Sequence, residues 1–284
     1  KSLDEGKIAD YIPALAATPK DLFGICVVAT SGDVFSIGDT DYEFSIQSIS
    51  KPFVFALVSQ ALSCQQARYK IGVNATGLPF NSVMAIELNE SRTMNPMVNA
   101  GAIATTSLVP GATAEEKWQF IHDGLSRLAG RRLTLNTEVY ESEAASNQRN
   151  QGIAHLLEGY GRMYFDPLQA TDVYTKQCSL NVSVRDLAVM GATLADGGVN
   201  PLTKERVLDA DRCKRVLAAL ATAGLYEESG DWLYEVGLPG KSGVSGGIVT
   251  VAPGKGGLAT FAPQLDSAGN SIKGQLVTKS LSER

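Results

Sequence analysis

Apolar and polar residues change rhythm twice along this chain. Between Leu22 and Thr40 they follow a strand-like pattern on either side of Ser31-Gly32-Asp33, which predicts a strand, a tight turn and a second strand. From about Lys51 to Asp196 the spacing is helical, with apolar stretches that predict helices over 53–62, 98–107, 114–128, 152–158, 167–177 and 184–194. Pro167 suits a first helical turn, where its missing N–H is no loss. Strand patterning returns from Tyr234, with a hairpin at Pro253-Gly254-Lys255-Gly256 and a closing helix from Ser271. No internal repeat or low-complexity linker interrupts the sequence. Strands at both ends of a helical middle predict an α/β fold, an antiparallel sheet flanked by helices with an inserted helical lobe. Residues 1–60 and 200–284 are expected to form one discontinuous α/β lobe and residues 61–199 the helical lobe, with a cleft at their seam.

Composition narrows the setting. The 284 residues are 44% hydrophobic, enough for a large core. A net charge of -5 without any basic block argues against a nucleic-acid or membrane-surface role. No apolar stretch is long enough to span a bilayer and no signal peptide is visible, although a segment upstream of Lys1 could have been removed. Cys26, Cys64, Cys178 and Cys213 are scattered and read as reduced thiols of a cytoplasmic protein. The two histidines, His122 and His155, lie in no metal-binding pattern, so neither a catalytic metal nor a Ser-His-Asp triad is expected.

The candidate chemistry sits at the first change of rhythm. Ser48-Ile49-Ser50-Lys51 precedes Pro52 and an apolar run, placing a serine at the mouth of a helix with a lysine one turn on. A serine hydroxyl needs a base to become a nucleophile, and a partly desolvated neutral lysine can serve. The Ser48 amide, at a helix start, is free to face an oxyanion. S-x-x-K is the nucleophile motif of serine β-lactamases and penicillin-binding proteins, but a chain this long contains about one such match by chance. An N-capping serine beside a solvated lysine is the plain alternative.

A second motif, Lys241-Ser242-Gly243, leads into the apolar run from Ile248 to Ala252 and matches the K-[ST]-G partner of S-x-x-K. Gly243 is expected to clear space for a substrate at the strand edge, and the Val244 amide to supply a second oxyanion donor. A phosphate loop is the competing reading. It fails because Glu235 stands where the first glycine belongs and a strand follows.

Longer stretches extend both motifs. Tyr11-Ile12-Pro13-Ala14-Leu15, Gln47-Ser48-Ile49-Ser50-Lys51-Pro52, Asn95-Pro96-Met97-Val98-Asn99-Ala100-Gly101-Ala102-Ile103 and Gly237-Leu238-Pro239-Gly240-Lys241-Ser242-Gly243-Val244 resemble the serine-dependent glutaminases. That family includes bacterial enzymes and the catalytic domain of the kidney- and liver-type enzymes. The resemblance runs from about Ile8 to Gly274 and implies a β-lactamase/penicillin-binding-protein-like fold. It further implies hydrolysis of L-glutamine to L-glutamate and ammonia through a γ-glutamyl-serine intermediate, without cofactor. No mitochondrial presequence or ankyrin repeats accompany it, so a bacterial enzyme is expected.

Position by position, the resemblance makes Ser48 the nucleophile, Lys51 its base, Tyr226 the proton shuttle, and the amides of Ser48 and Val244 the oxyanion hole. It assigns substrate contacts to Tyr11, Gln47, Asn99, Glu143, Asn150, Tyr174, Tyr226 and Val244. Glu143 suits the substrate ammonium, and Asn99, Asn150 and Tyr174 suit its carboxylate. Tyr11 is expected either to close over the site as a lid or to anchor the first helix. A β-lactamase or D,D-peptidase stays open, with Ser179-Leu180-Asn181 as its S-x-N element, and so does a non-catalytic sensor on the same scaffold. A homodimer or homotetramer is expected.

Overall fold

The computed structural model describes residues 6–92 and 94–283. Its strands are β1 (Gly24–Ala29), β2 (Val34–Gly38), β3 (Phe44–Ser45), β4 (Thr134–Leu135), β5 (Leu180–Val182), β6 (Gly240–Ser242), β7 (Gly247–Ala252) and β8 (Gly256–Phe261). The helices before residue 150 begin with α1 (Pro13–Ala16), α2 (Ser50–Ala61), α3 (Cys64–Ile71), α4 (Met84–Glu87), α5 (Asn99–Ser107), α6 (Ala114–Ala129), α7 (Thr137–Ala144) and α8 (Gln148–Gly159). There follow α9 (Pro167–Cys178), α10 (Val184–Ala195), α11 (Ala210–Ala223), α12 (Ser229–Val236) and α13 (Ile272–Ser282).

Five strands form one antiparallel sheet in the order β2-β1-β8-β7-β6, joining both ends of the chain. β1 and β8 pair with Gly24 opposite Phe261 and Cys26 opposite Ala259. Adjacent residues of a strand face opposite ways. Val249 lies against Gly191 of α10 while Ile248 lies against Gly274 of α13, so these two helices cover opposite faces of the sheet. α10 falls within residues 61–199 yet packs on β1, β7 and β8. Gly257 allows this approach, because a Cβ there would run into the Ala188 carbonyl oxygen. The short strands β3, β5 and β4 form a second sheet beside it.

Helix ends follow their local chemistry. Thr113 and Glu116 form a capping box at the start of α6, and Gly130 closes it in the left-handed region. Asp166 caps α9, with Pro167 in its first turn. α2 is buried from Ser50 through Ser59 and so has no polar face; it runs through the interior against α5, α6 and α11. Strand structure begins later than the sequence pattern suggests. Tyr234 belongs to α12, which Gly237 ends at φ 72°, and Tyr234 itself is exposed. No described helix is long and apolar enough to cross a membrane.

Candidate active site

Ser48 lies in a 3-10 turn, Gln47–Ile49, which feeds directly into α2. Gln47 holds φ at +49°, a left-handed conformation that costs a non-glycine residue about 1–3 kcal/mol and persists only where the surroundings fix it. They do so here. The Gln47 carbonyl accepts from Ser50 Oγ at 2.8 Å, and Gln47 Nε2 donates to Glu143 Oε2 at 3.0 Å and Ser45 Oγ at 3.2 Å. Ser50 Oγ in turn accepts from Gln177 Nε2. Gly243 also serves this turn. A Cβ there would stand 3.1 Å from both the Ile46 carbonyl oxygen and Ile49 Cγ1.

Lys51 is sealed beneath the cleft, 1% exposed, with Nζ donating to Asn99 Oδ1 at 2.7 Å and to the Met97 carbonyl at 3.2 Å. Loss of hydration pulls its pKa down to about 8. No hydrogen bond joins it to Ser48 among the described residues. Catalytic contacts often tighten only once substrate is bound.

Tyr226 is the second non-glycine residue of the cleft in the left-handed region, at φ +58°. Ser229 Oγ holds its carbonyl at 2.7 Å. The Tyr226 hydroxyl donates to the Ser242 carbonyl at 3.4 Å. Burial pushes the Tyr226 pKa up to about 12, and a hydrogen bond with Ser48 opposes that rise. The Lys241 ammonium lies 4.0 Å from the centre of the Tyr226 ring and donates to the Ser242 carbonyl at 2.8 Å. Burial, reinforced by the Lys51 charge, holds Lys241 well below the ordinary lysine pKa.

The cleft above these groups encloses about 380 Å³ and is lined by Tyr11, Gln47, Ser48, Asn99, Glu143, Asn150, Tyr174 and Val244, among others. The structure therefore brings every residue that the resemblance assigns to the site to one place, with Lys51 and Tyr226 just below the lining. Asn99 links the halves, since its Oδ1 accepts from Lys51 and from Tyr174 Oη at 3.4 Å, while its Nδ2 donates to Asn150 Oδ1 at 3.0 Å. Burial raises the Glu143 pKa to about 7, opposed by the Gln47 hydrogen bond and the Lys51 charge. Burial likewise lifts the Tyr11 and Tyr174 hydroxyls above their ordinary range. Neither the Ser48 nor the Val244 N–H has a hydrogen-bond partner among the described residues.

Tyr11 stands on a docked segment. Ile12 and Leu15 are buried in a small cluster with Val139, Val244 and Leu265, and Lys7 pairs with Leu265 through two backbone bonds. These contacts anchor the segment to the core, while the Tyr11 side chain itself stays exposed at the cleft. Sequence reasoning missed Phe80, Asn81, Arg149 and Cys178, which also line the cleft, and gave Lys241 no place in the site. Lys241 carried a signal in its K-S-G motif. Phe80, packed 4.8 Å from the Tyr226 ring, carried none.

The glutaminase family model matches residues 6–284 of this sequence. The chain belongs to the glutaminase family. It is 68% identical to "Glutaminase 2" of Yersinia pestis over 277 residues, 98% of this chain and 82% of that protein. It is 53% identical to a glutaminase of Brucella canis over 94% of this chain and 84% of that one. Among solved structures, a probable glutaminase, ybaS, superposes with a TM-score of 0.98 at 49% identity, covering 99% of this chain and 91% of that chain. Mglu in its glutamate form gives a TM-score of 0.92 at 40% identity, covering 98% of this chain and 64% of that one. The fold is the β-lactamase-like α/β fold of these relatives, and the protein is an amidohydrolase that acts on the side-chain amide of L-glutamine.

Proposed function

We propose that glutamine hydrolysis here proceeds through a γ-glutamyl ester on Ser48. Neutral Lys51 takes the Ser48 hydroxyl proton as Oγ attacks the side-chain amide carbon, giving a tetrahedral oxyanion that the Ser48 and Val244 N–H groups stabilise. Tyr226 passes a proton to the amide nitrogen, the C–N bond breaks and ammonia departs. Water then attacks the ester carbonyl, the Ser48 oxygen recovers a proton, and glutamate leaves.

In this reading Glu143 binds the substrate ammonium, while Asn99, Asn150 and Tyr174 hold its carboxylate. Gln47 orients Glu143, and Tyr11 covers the cleft mouth. Lys51 carries the proposal, as a buried amine with a pKa of about 8, one turn beyond Ser48 and tied through Asn99 to the substrate pocket. A diazoketone analogue of glutamine tests it: the adduct is expected on Ser48, and mass spectrometry that finds it on another residue defeats the assignment.

The β-lactamase reading loses its third element. Ser179 Oγ donates to the Thr175 carbonyl at 2.9 Å, Asn181 pairs with Thr134 and Asn136, and neither residue lines the cleft.

A further inference from the structure

Lys51, Phe55 and Ser59 fall four apart along one stripe of α2. The last two form the floor of a separate cavity of about 330 Å³, walled by α3, residues 73–74 and α11. One buried polar atom on its floor, and a second beside it on α11, lack partners among the described residues. Ser59 is 2% exposed with an unbonded hydroxyl, and Arg212 Nε is likewise buried and unbonded. A buried polar atom left unbonded costs stability unless something else satisfies it.

The charge around this cavity is unusual for an acidic chain. Arg68 and Arg215 line it and Arg212 adjoins it, donating to Cys64 Sγ at 2.8 Å. Asp211 is the acidic partner of this group, accepting from Arg212 Nη1 at 3.0 Å and Arg215 Nε at 3.1 Å. Asp209, nearby, accepts from Gln60 Nε2 at 2.9 Å. The Arg68 guanidinium has no hydrogen bond or ion pair among the described residues.

We propose that this cavity binds a small organic carboxylate with an apolar body. Its carboxylate sits on the Arg68 and Arg215 guanidinium groups and accepts from the Ser59 hydroxyl, while its body packs on Phe55 and Ala219. Planar guanidinium groups match a carboxylate in a two-point contact, and the apolar floor favours an organic acid over an inorganic anion. An amino acid is disfavoured, because Asp211 is already engaged by two arginines and offers little to an ammonium group. The floor is α2, which begins at Ser50-Lys51, and one wall is α11, which runs on towards Tyr226.

Cys64 provides the readout, since it is partly exposed while the other three cysteines are buried. Benzoate is expected to slow alkylation of Cys64 by N-ethylmaleimide at least about fivefold, saturating in the millimolar range usual for a ligand of this size. Benzamide and sulfate are expected to slow it less than twofold. Arg68→Met removes the protection without shifting the melting temperature, because Arg68 is exposed. Equilibrium dialysis of benzoate, expected to show one site in the native chain and none in Arg68→Met, is the second readout. Equal protection by benzamide would reduce the site to an apolar dent, and equal protection by sulfate would make it an inorganic-anion site. Either result, or binding that survives Arg68→Met, overturns the proposal.

Discussion

Lys51 and Lys241 come from the two short motifs of the chain, and burial lowers the proton affinity of both. Their surroundings separate them. Lys51 reaches Asn99, which also touches Tyr174 and Asn150, so its protonation state communicates with the wall of the cleft. Lys241 meets one carbonyl and the face of the Tyr226 ring, and it does not line the cleft. A lysine placed to exchange a proton and a lysine placed to hold another side chain therefore share burial and differ in partners. Sequence motifs mark both equally.

The widest test of this contrast is removal of each amine. Ser48→Ala and Lys51→Ala are each expected to lower kcat at least about a thousandfold, and the double variant to be no worse than either single one, because two groups acting in one step do not add. Steady-state kinetics of the three variants checks this. Lys241→Met is expected to lower kcat about ten- to hundredfold with KM nearly unchanged, and to leave the melting temperature equal or higher, since an apolar side chain replaces a desolvated amine. A loss as deep as that of Lys51→Ala would erase the distinction.

Glu143→Gln is expected to raise KM about ten- to hundredfold, the loss of one charge-assisted bond of about 1.5–3 kcal/mol, with kcat little altered. A further effect concerns stability and leaves turnover aside. The Lys51 pKa is lowered from 10.5 to about 8 in the folded chain, so between those values the unfolded state binds more protons and stability rises with pH. Lys51 accounts for about 3 kcal/mol of that rise at full effect. Denaturation of Lys51→Met at pH 8 and pH 10.5 should show a correspondingly flatter profile.

Much of this site was legible before the structure, because acyl transfer needs particular residue types at short spacings and S-x-x-K and K-S-G each fit inside one local element. Legibility failed where a contact depends on distant chain. Phe80 reaches Tyr226 across 146 positions, and no local pattern announces it. α7, which carries Glu143, buries only Val139, so it has no apolar stripe and rests on its Asn136 cap. α11 has a clear stripe of Cys213, Val216, Ala219, Leu220 and Ala223, a signal the sequence reading passed over. α3 did have a signature, the Ser63 and Gln66 capping box. β3 and β4, at two residues each, are too short to display alternation. The left-handed φ of Gln47 and Tyr226 was invisible, since neither residue type advertises it.

In the proposed mechanism two groups must lose protons for the free enzyme to work, Glu143 near pH 7 and Lys51 near pH 8. Log kcat/KM should therefore climb with a slope of two below pH 7, with a slope of one between the two values, and level off above pH 8. That profile reports the pair without naming which group is which. The direct measurement is an NMR titration of the Lys51 side-chain amine in the ligand-free protein, assigned by its disappearance in Lys51→Met. A midpoint near pH 8 is predicted, and a midpoint at or above 10 would show a lysine that stays charged and cannot be the base for Ser48.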